Sequence, residues 1–322
     1  MNAIIATQGL TREFQVRRRG ALRARSTVTA VDDLTVEIGA GAAVGYIGAN
    51  GAGKSTTIKM LTGILVPTRG TVQTCGREPM RERRQLAAEV GVVFGQRSQL
   101  WWDLPLRESF ELLAAIHRLP FAEARSRTAQ LVDNLDMGAT LDTPVRQLSL
   151  GQRMRGEIAA ALLHSPTLLI LDEPTIGLDV LSKQRLREFL IAERAARGTT
   201  LLLTTHDMGD VARLCDRILL IDQGRLAFDG TLAALTDRVG AQRVLVVDLP
   251  EPAADLVDIP GTTHLGSEAG GLRQRLGFNA ASATAAEVLA AVSARTSIRD
   301  LSVEEPDIED VVRRVYEAGT DL

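Results

Sequence analysis

At 322 residues, 45% hydrophobic and 24% charged, the chain has the composition of a folded protein and exceeds the usual size of one domain. A formal net charge of -3 speaks against general nucleic-acid binding, which calls for a marked basic excess. Cys75 and Cys215 suit neither a disulfide framework nor a zinc site and read as small buried hydrophobes, and no run approaches the ~20 apolar residues that span a bilayer.

The chain opens without a basic-then-apolar leader, so it is expected to stay where it is made, with any membrane role peripheral. Segments 3–14 and 28–38 read as strands with partial alternation. Between them, residues 17–25 carry five arginines, which suits either a solvated hairpin tip or contact with anionic lipid headgroups. Residues 43–48 form a short apolar strand running into a glycine-rich turn, with a helix expected over 54–62 and another short strand at 92–94. From 105 to about 163 the spacing turns helical, with Leu106, Phe110, Leu113 and Ile116 on one face. Strands return at 168–171, 200–204 and 217–221, separated by helical segments such as 182–196. Alternating strand and helix implies a mostly parallel sheet covered on both faces, here with a helical block inserted.

After Gly230 the pattern changes. Val244, Val246 and Asp248 alternate, 283–294 reads as a helix, and Glu304, Glu305 and Asp307 suit the start of a last helix at 306–316. Residues 241–322 are therefore expected to form a small separate α+β domain.

Three stretches carry chemistry. Gly48, Ala49, Asn50, Gly51, Ala52, Gly53, Lys54 and Ser55 match the phosphate-binding pattern GxxxxGK[ST] between a strand and a helix. Glycines there let backbone N–H groups turn inward around phosphates, and the helix aims its positive end at them. Lys54 would pair with β- and γ-phosphates, Ser55 would ligate Mg²⁺, and Thr56, next on the same helix start, is expected among the nucleotide-binding residues. Next, the apolar strand 168–171 delivers Asp172 and Glu173 to the carboxyl edge of the sheet, where ligands of open α/β folds sit. Asp172 suits Mg²⁺ and Glu173 suits a general base on water. Lastly, Ser149 and Gln152 have capping-box spacing and start a helix beside Gly151, a second anion-binding surface. Two phosphate-binding surfaces and one set of acids per chain imply a two-fold dimer in which each phosphate loop is closed by the partner's helix start.

Over residues 3 to about 235 the sequence resembles the ATP-binding cassette (ABC) ATPases. Leu148 to Gln152 is similar to the family signature LSGGQ, with Leu150 in place of the middle glycine. The resemblance implies a Q-loop at Gln96, which senses Mg²⁺ and the membrane partner, and a D-loop at Asp179. It also implies a switch histidine at His206 and an aromatic stack on adenine at Phe14. The fold so implied is an α/β P-loop NTPase cassette at 1–238, with a mostly parallel sheet core, an antiparallel β subdomain and a helical subdomain at about 97–163. A C-terminal accessory or regulatory domain follows at 241–322.

The implied activity is ATP hydrolysis with Mg²⁺ by a cytoplasmic subunit lying on the inner face of the cell membrane, paired with a second nucleotide-binding subunit and integral-membrane permease subunits. The segments 94–105 and 172–179 resemble those of bacterial drug- and antibiotic-exporter subunits with separate permeases. In family terms this region meets the permease's coupling helix. Neighbouring side chains of an extended segment point opposite ways, so at least one of the adjacent Trp101 and Trp102 is expected to be exposed, and Trp101 or Trp102 to dock there. Importer cassettes share all these motifs. A soluble ABC protein of translation or DNA repair would carry paired cassettes or a long coiled-coil insertion, and a GTP switch would carry Asn-Lys-x-Asp; neither pattern is found.

Overall fold

The computed structural model describes residues 3–17, 25–95, 98–205, 207–238, 242–279, 282–304 and 311. The basic loop expected at 17–25 and the last helix at 306–316 fall largely outside them. The chain divides into two compact units, 1–229 and 230–322.

In the first unit, β1 (Ala3–Arg17), β2 (Arg25–Gly39) and β3 (Ala43–Gly48) lead into α1 (Lys54–Leu61). Then come β4 (Arg69–Thr74), α2 (Arg83–Ala87) and β5 (Val90–Val93). The helical block holds α3 (Leu106–Ile116), α4 (Phe121–Asn134) and α5 (Leu150–Leu162). The chain closes the unit with β6 (Leu168–Asp172), α6 (Val180–Arg197), β7 (Thr200–Thr204), α7 (Met208–Leu214), β8 (Arg217–Asp222) and β9 (Arg225–Gly230).

Two sheets result. One is antiparallel with order β2-β1-β4, and the other has order β5-β6-β7-β3-β8-β9, parallel from β5 to β8. β6 is apolar from Leu168 to Leu171 because both faces are covered there. Leu168 and Ile170 join the core shared with β1, β2 and α1, whereas Leu169 and Leu171 join the core of the helical block. That burial fixes where the strand's polar end, Asp172, emerges.

Leu106, Phe110 and Leu113 of α3 are buried as their spacing predicts, but Ile116, expected on the same face, is 63% exposed. It is the last residue of α3, where the helix leaves the core. β4 was not anticipated: only alternate residues of Gly-containing Arg69–Thr74 are buried, so no apolar run marks it. Both cysteines are free and partly buried, and burial pushes the Cys215 thiol up to about 12.

The second unit contains α8 (Leu232–Arg238), β10 (Arg243–Asp248), β11 (Thr262–Glu268), β12 (Arg273–Phe278), α9 (Ala285–Ser293) and β13 (Asp300–Glu304). Its sheet is antiparallel, in the order β11-β12-β10-β13. The core is built from Leu245 and Val247 with Leu276, Phe278, Val288 and Val292, so the alternation read at Val244, Val246 and Asp248 marks the opposite face. A mostly parallel α/β core, an antiparallel β layer, an inserted helical block and a small α+β unit are the expected architecture. Among the described residues, no helix is long and apolar enough to cross a membrane.

Candidate functional site

β3 is buried along its length and ends in the loop 48–53, which is pressed onto backbone below it. A Cβ at Gly48 would lie 2.6 Å from the Ile221 carbonyl oxygen, and one at Gly53 would lie 2.3 Å from that of Ala30. Gly53 also has φ +104°, so glycine is required there twice over. Nothing lies within 4 Å of where a Cβ at Gly51 would point, so the loop is closed below and open above. Asn50, Gly51, Gly53, Lys54, Ser55 and Thr56 line the resulting cavity of about 530 Å³. Gly48 and buried Ala52 form its floor support rather than its lining.

Lys54 Nζ donates to the carbonyl oxygens of Gly48 (2.6 Å) and Ala49 (3.1 Å). Burial lowers its pKa, while nearby Glu173 and Asp172 act in the opposite direction. Both acids line the same cavity. Thr204, fully buried at the end of β7, donates its hydroxyl to Asp172 Oδ1 at 2.5 Å, and its carbonyl oxygen accepts from Glu173 N–H at 2.9 Å. One threonine thus orients both carboxylate residues. Sequence reasoning missed it, although a buried polar residue closing an apolar strand beside the phosphate loop was the available signal. Glu173 itself sits at φ +56°, a left-handed backbone that costs on the order of 1 kcal/mol or more for a residue with a Cβ.

Ser149, Gly151, Gln152 and Asp179 do not line this cavity. Ser149 caps α5 in a full capping box: its Oγ accepts from Gln152 N–H (3.2 Å), and Gln152 Oε1 accepts from Ser149 N–H (2.9 Å). Asp179 caps α6, accepting from the N–H (2.9 Å) and hydroxyl (2.6 Å) of Ser182, which holds its carboxyl below the usual range. These two helix starts pack on each other, since added Cβ atoms at Gly177 and Gly151 would meet Leu150 and Leu178. Phe14 lies on β1 with the Arg12 guanidinium 4.7 Å from its ring centre, and it too is absent from the cavity lining. Gln96 and His206 lie outside the described residues. Their neighbours Gly95, in the cavity wall, and Asp207, the cap of α7, are held on either side of the acids.

The donor set fits a triphosphate with a hard divalent cation. A partly buried ammonium and a glycine cradle at the start of α1 suit phosphoryl oxygens, and a hydroxyl and a carboxylate suit Mg²⁺. Lys54 would hold the phosphates, and Ser55 and Asp172 would hold the ion. Mg²⁺, when bound, draws charge from the phosphoryl oxygens. Glu173 would take the proton from attacking water.

Residues 31–176 match the family model described as ABC transporter. Nod factor export ATP-binding protein I of Paraburkholderia xenovorans (strain LB400) is 37% identical over 231 residues, covering 70% of this chain and 74% of that protein. Methionine import ATP-binding protein MetN of Geobacillus kaustophilus (strain HTA426) is 35% identical over 211 residues, covering 64% of this chain and 61% of that protein. A solved structure of an ATP binding subunit of an ABC transporter superposes with a TM-score of 0.63 at 28% identity, covering 74% of this chain and 93% of the other.

Proposed function

The chain belongs to the ABC transporter family of ATP-binding subunits and is an ATPase, and from that premise we propose that it works as a head-to-tail homodimer driving export through separate membrane permeases. One observation carries the dimer: the cavity holds Lys54, Asp172 and Glu173 but not Ser149 or Gly151, which present a capped helix start elsewhere. A second copy supplies what the first lacks, each ATP lying between Lys54 of one subunit and Ser149 of its partner. Glu173 is the general base, Asp172, Ser55 and Gln96 hold Mg²⁺, and His206 reads the γ-phosphate. Asp179 crosses the interface and Phe14 stacks on adenine.

Trp101 and Trp102, 37% and 51% exposed, form the docking point for a permease on the inner face of the membrane. Export, and the drug-exporter type, rest on the resemblance of the sequence at 94–105 and 172–179 to bacterial drug- and antibiotic-exporter subunits. Residues 241–322 are assigned an accessory or regulatory role beside a cassette at 1–238. Light scattering on the Glu173→Gln subunit with ATP, Mg²⁺ and permease tests the dimer. The expected result is a dimer that Ser149→Arg abolishes while ATP still binds the monomer; a Glu173→Gln subunit that stays monomeric with permease present would refute it.

A further inference from the structure

Helix α5 carries a carboxylate among small and apolar neighbours. Glu157 is only 5% exposed, beside buried Gly156, Ile158, Ala159 and Ala160. Among the described residues, donors from the segment following β5 reach its carboxylate. The Ser98 hydroxyl donates to Oε1, and Gln99 N–H donates to Oε2 at 3.1 Å. Gln99 then reaches back, its Nε2–H donating to the backbone carbonyl oxygen of Glu157 at 3.0 Å.

The rest of the segment is tied to the same helix and to its surroundings. Leu100 is buried over Gly156, where an added Cβ would lie 3.1 Å from Leu100 Cδ1. Trp101 N–H donates to Ser109 Oγ at 3.2 Å, and the Trp102 carbonyl oxygen accepts from Arg146 N–H at 2.9 Å. The Trp102 ring has the Arg153 guanidinium 5.5 Å from its centre, and Arg153 precedes Glu157 by one turn of α5. An exposed loop bearing both tryptophans of the chain is therefore fastened at several points to the helix that Ser149 begins.

Burial raises the Glu157 carboxyl pKa, and the Ser98 and Gln99 bonds oppose that rise. A small apolar residue like its neighbours would fill the position without that desolvation cost, but would leave Ser98 and Gln99 unfastened. We propose that Glu157 is a positioning residue, a latch that makes the Trp101–Trp102 loop and the Ser149 helix move as one body. A displacement applied at the tryptophans then arrives at Ser149, about 12 Å up the helix from Glu157 at 1.5 Å per residue, instead of being absorbed in the loop. The proposal rests on the reading above in one respect, that a membrane partner pushes there.

Because both tryptophans of the chain sit in this loop, tryptophan emission, excited beyond the absorption of the two tyrosines, reads this loop alone. Full-length Glu157→Ala is expected to show at least twofold faster acrylamide quenching with ATP affinity unchanged. Its permease-stimulated ATP turnover should fall at least tenfold relative to turnover without permease. Glu157→Gln should restore both, since its carbonyl can accept from Gln99 N–H while its amide donates to Ser98 Oγ. Ser98→Ala removes the hydroxyl tie to Glu157, together with the bond that Ser98 Oγ accepts from Leu100 N–H at 3.1 Å, without touching the helix, and should loosen the tryptophans in the same direction. Wild-type quenching in both Glu157→Ala and Ser98→Ala would overturn the latch, as would a loosened loop with an unchanged ratio of stimulated to unstimulated turnover. Should permease fail to stimulate even the wild-type chain, the transport reading falls, and the quenching comparison still decides whether the latch exists.

Discussion

Leu150 lies directly over Gly177: a methyl group added at Gly177 would sit 2.2 Å from Leu150 Cδ2. The residue that departs from the family signature is thus the one that rests on the loop before Asp179, and Gly177 at φ +72° makes room for it.

Gly177→Ala should therefore both clash and strain the backbone, destabilising the first unit by about 1–3 kcal/mol. Adding Leu150→Gly removes the clash and should return part of that loss. A double-mutant cycle in denaturant checks it, and strictly additive effects would show that the two residues do not meet.

Glu173→Gln should slow ATP hydrolysis by ~10²–10⁴-fold while leaving ATP binding intact, because Lys54 and the glycine cradle are untouched. Steady-state phosphate release and equilibrium nucleotide binding measure the two. Near-normal turnover would remove Glu173 from the role of base.

Acid should weaken the fold through His164, whose ring stacks on that of His117 with centroids 4.0 Å apart. Burial, and secondarily the neighbouring His117, hold the His164 pKa down at about 4, against 6.5 for the free group. Its folded value is the lower one, so the unfolded chain takes up the proton first. The stability is complete above pH 6.5 and is lost as pH falls towards 4, by about 2 kcal/mol between pH 7 and 5. His117, also lowered by burial, acts with the same sign. Urea unfolding of His164→Phe should show a shallower loss over that range than the wild type.

Arg127 and Glu193 form a buried ion pair between α4 and α6, each side chain 6% exposed. Among the described residues, Arg127→Met leaves the carboxylate with Arg197, 3.2 Å away, to compensate. The expected cost is about 3 kcal/mol, at the lower end for a broken buried pair. Arg127→Met with Glu193→Leu should regain most of it, and chemical denaturation of the three variants decides.

The phosphate loop and the acids were legible in the sequence because their chemistry is local: Gly48 to Ser55 and Asp172 to Glu173 are contiguous runs whose spacing states their geometry. The capping box at Ser149 and Gln152 was legible for the same reason. Thr204, Leu150 and Glu157 act across 32, 27 and 58 residues of sequence separation, on Asp172, Gly177 and Gln99 respectively, and no local pattern announces such partners. Ile116 obeys its helical spacing and is still exposed, since periodicity gives a direction but not where the core ends.

The left-handed backbone at Glu173 sets thermal endurance against turnover at one codon. Replacement by glycine would relax the turn, so selection for survival at high temperature alone should favour that change and, with Glu173 as the base proposed above, return a hardier protein that hydrolyses ATP far more slowly. Activity has to be part of any such selection for the acid to be kept.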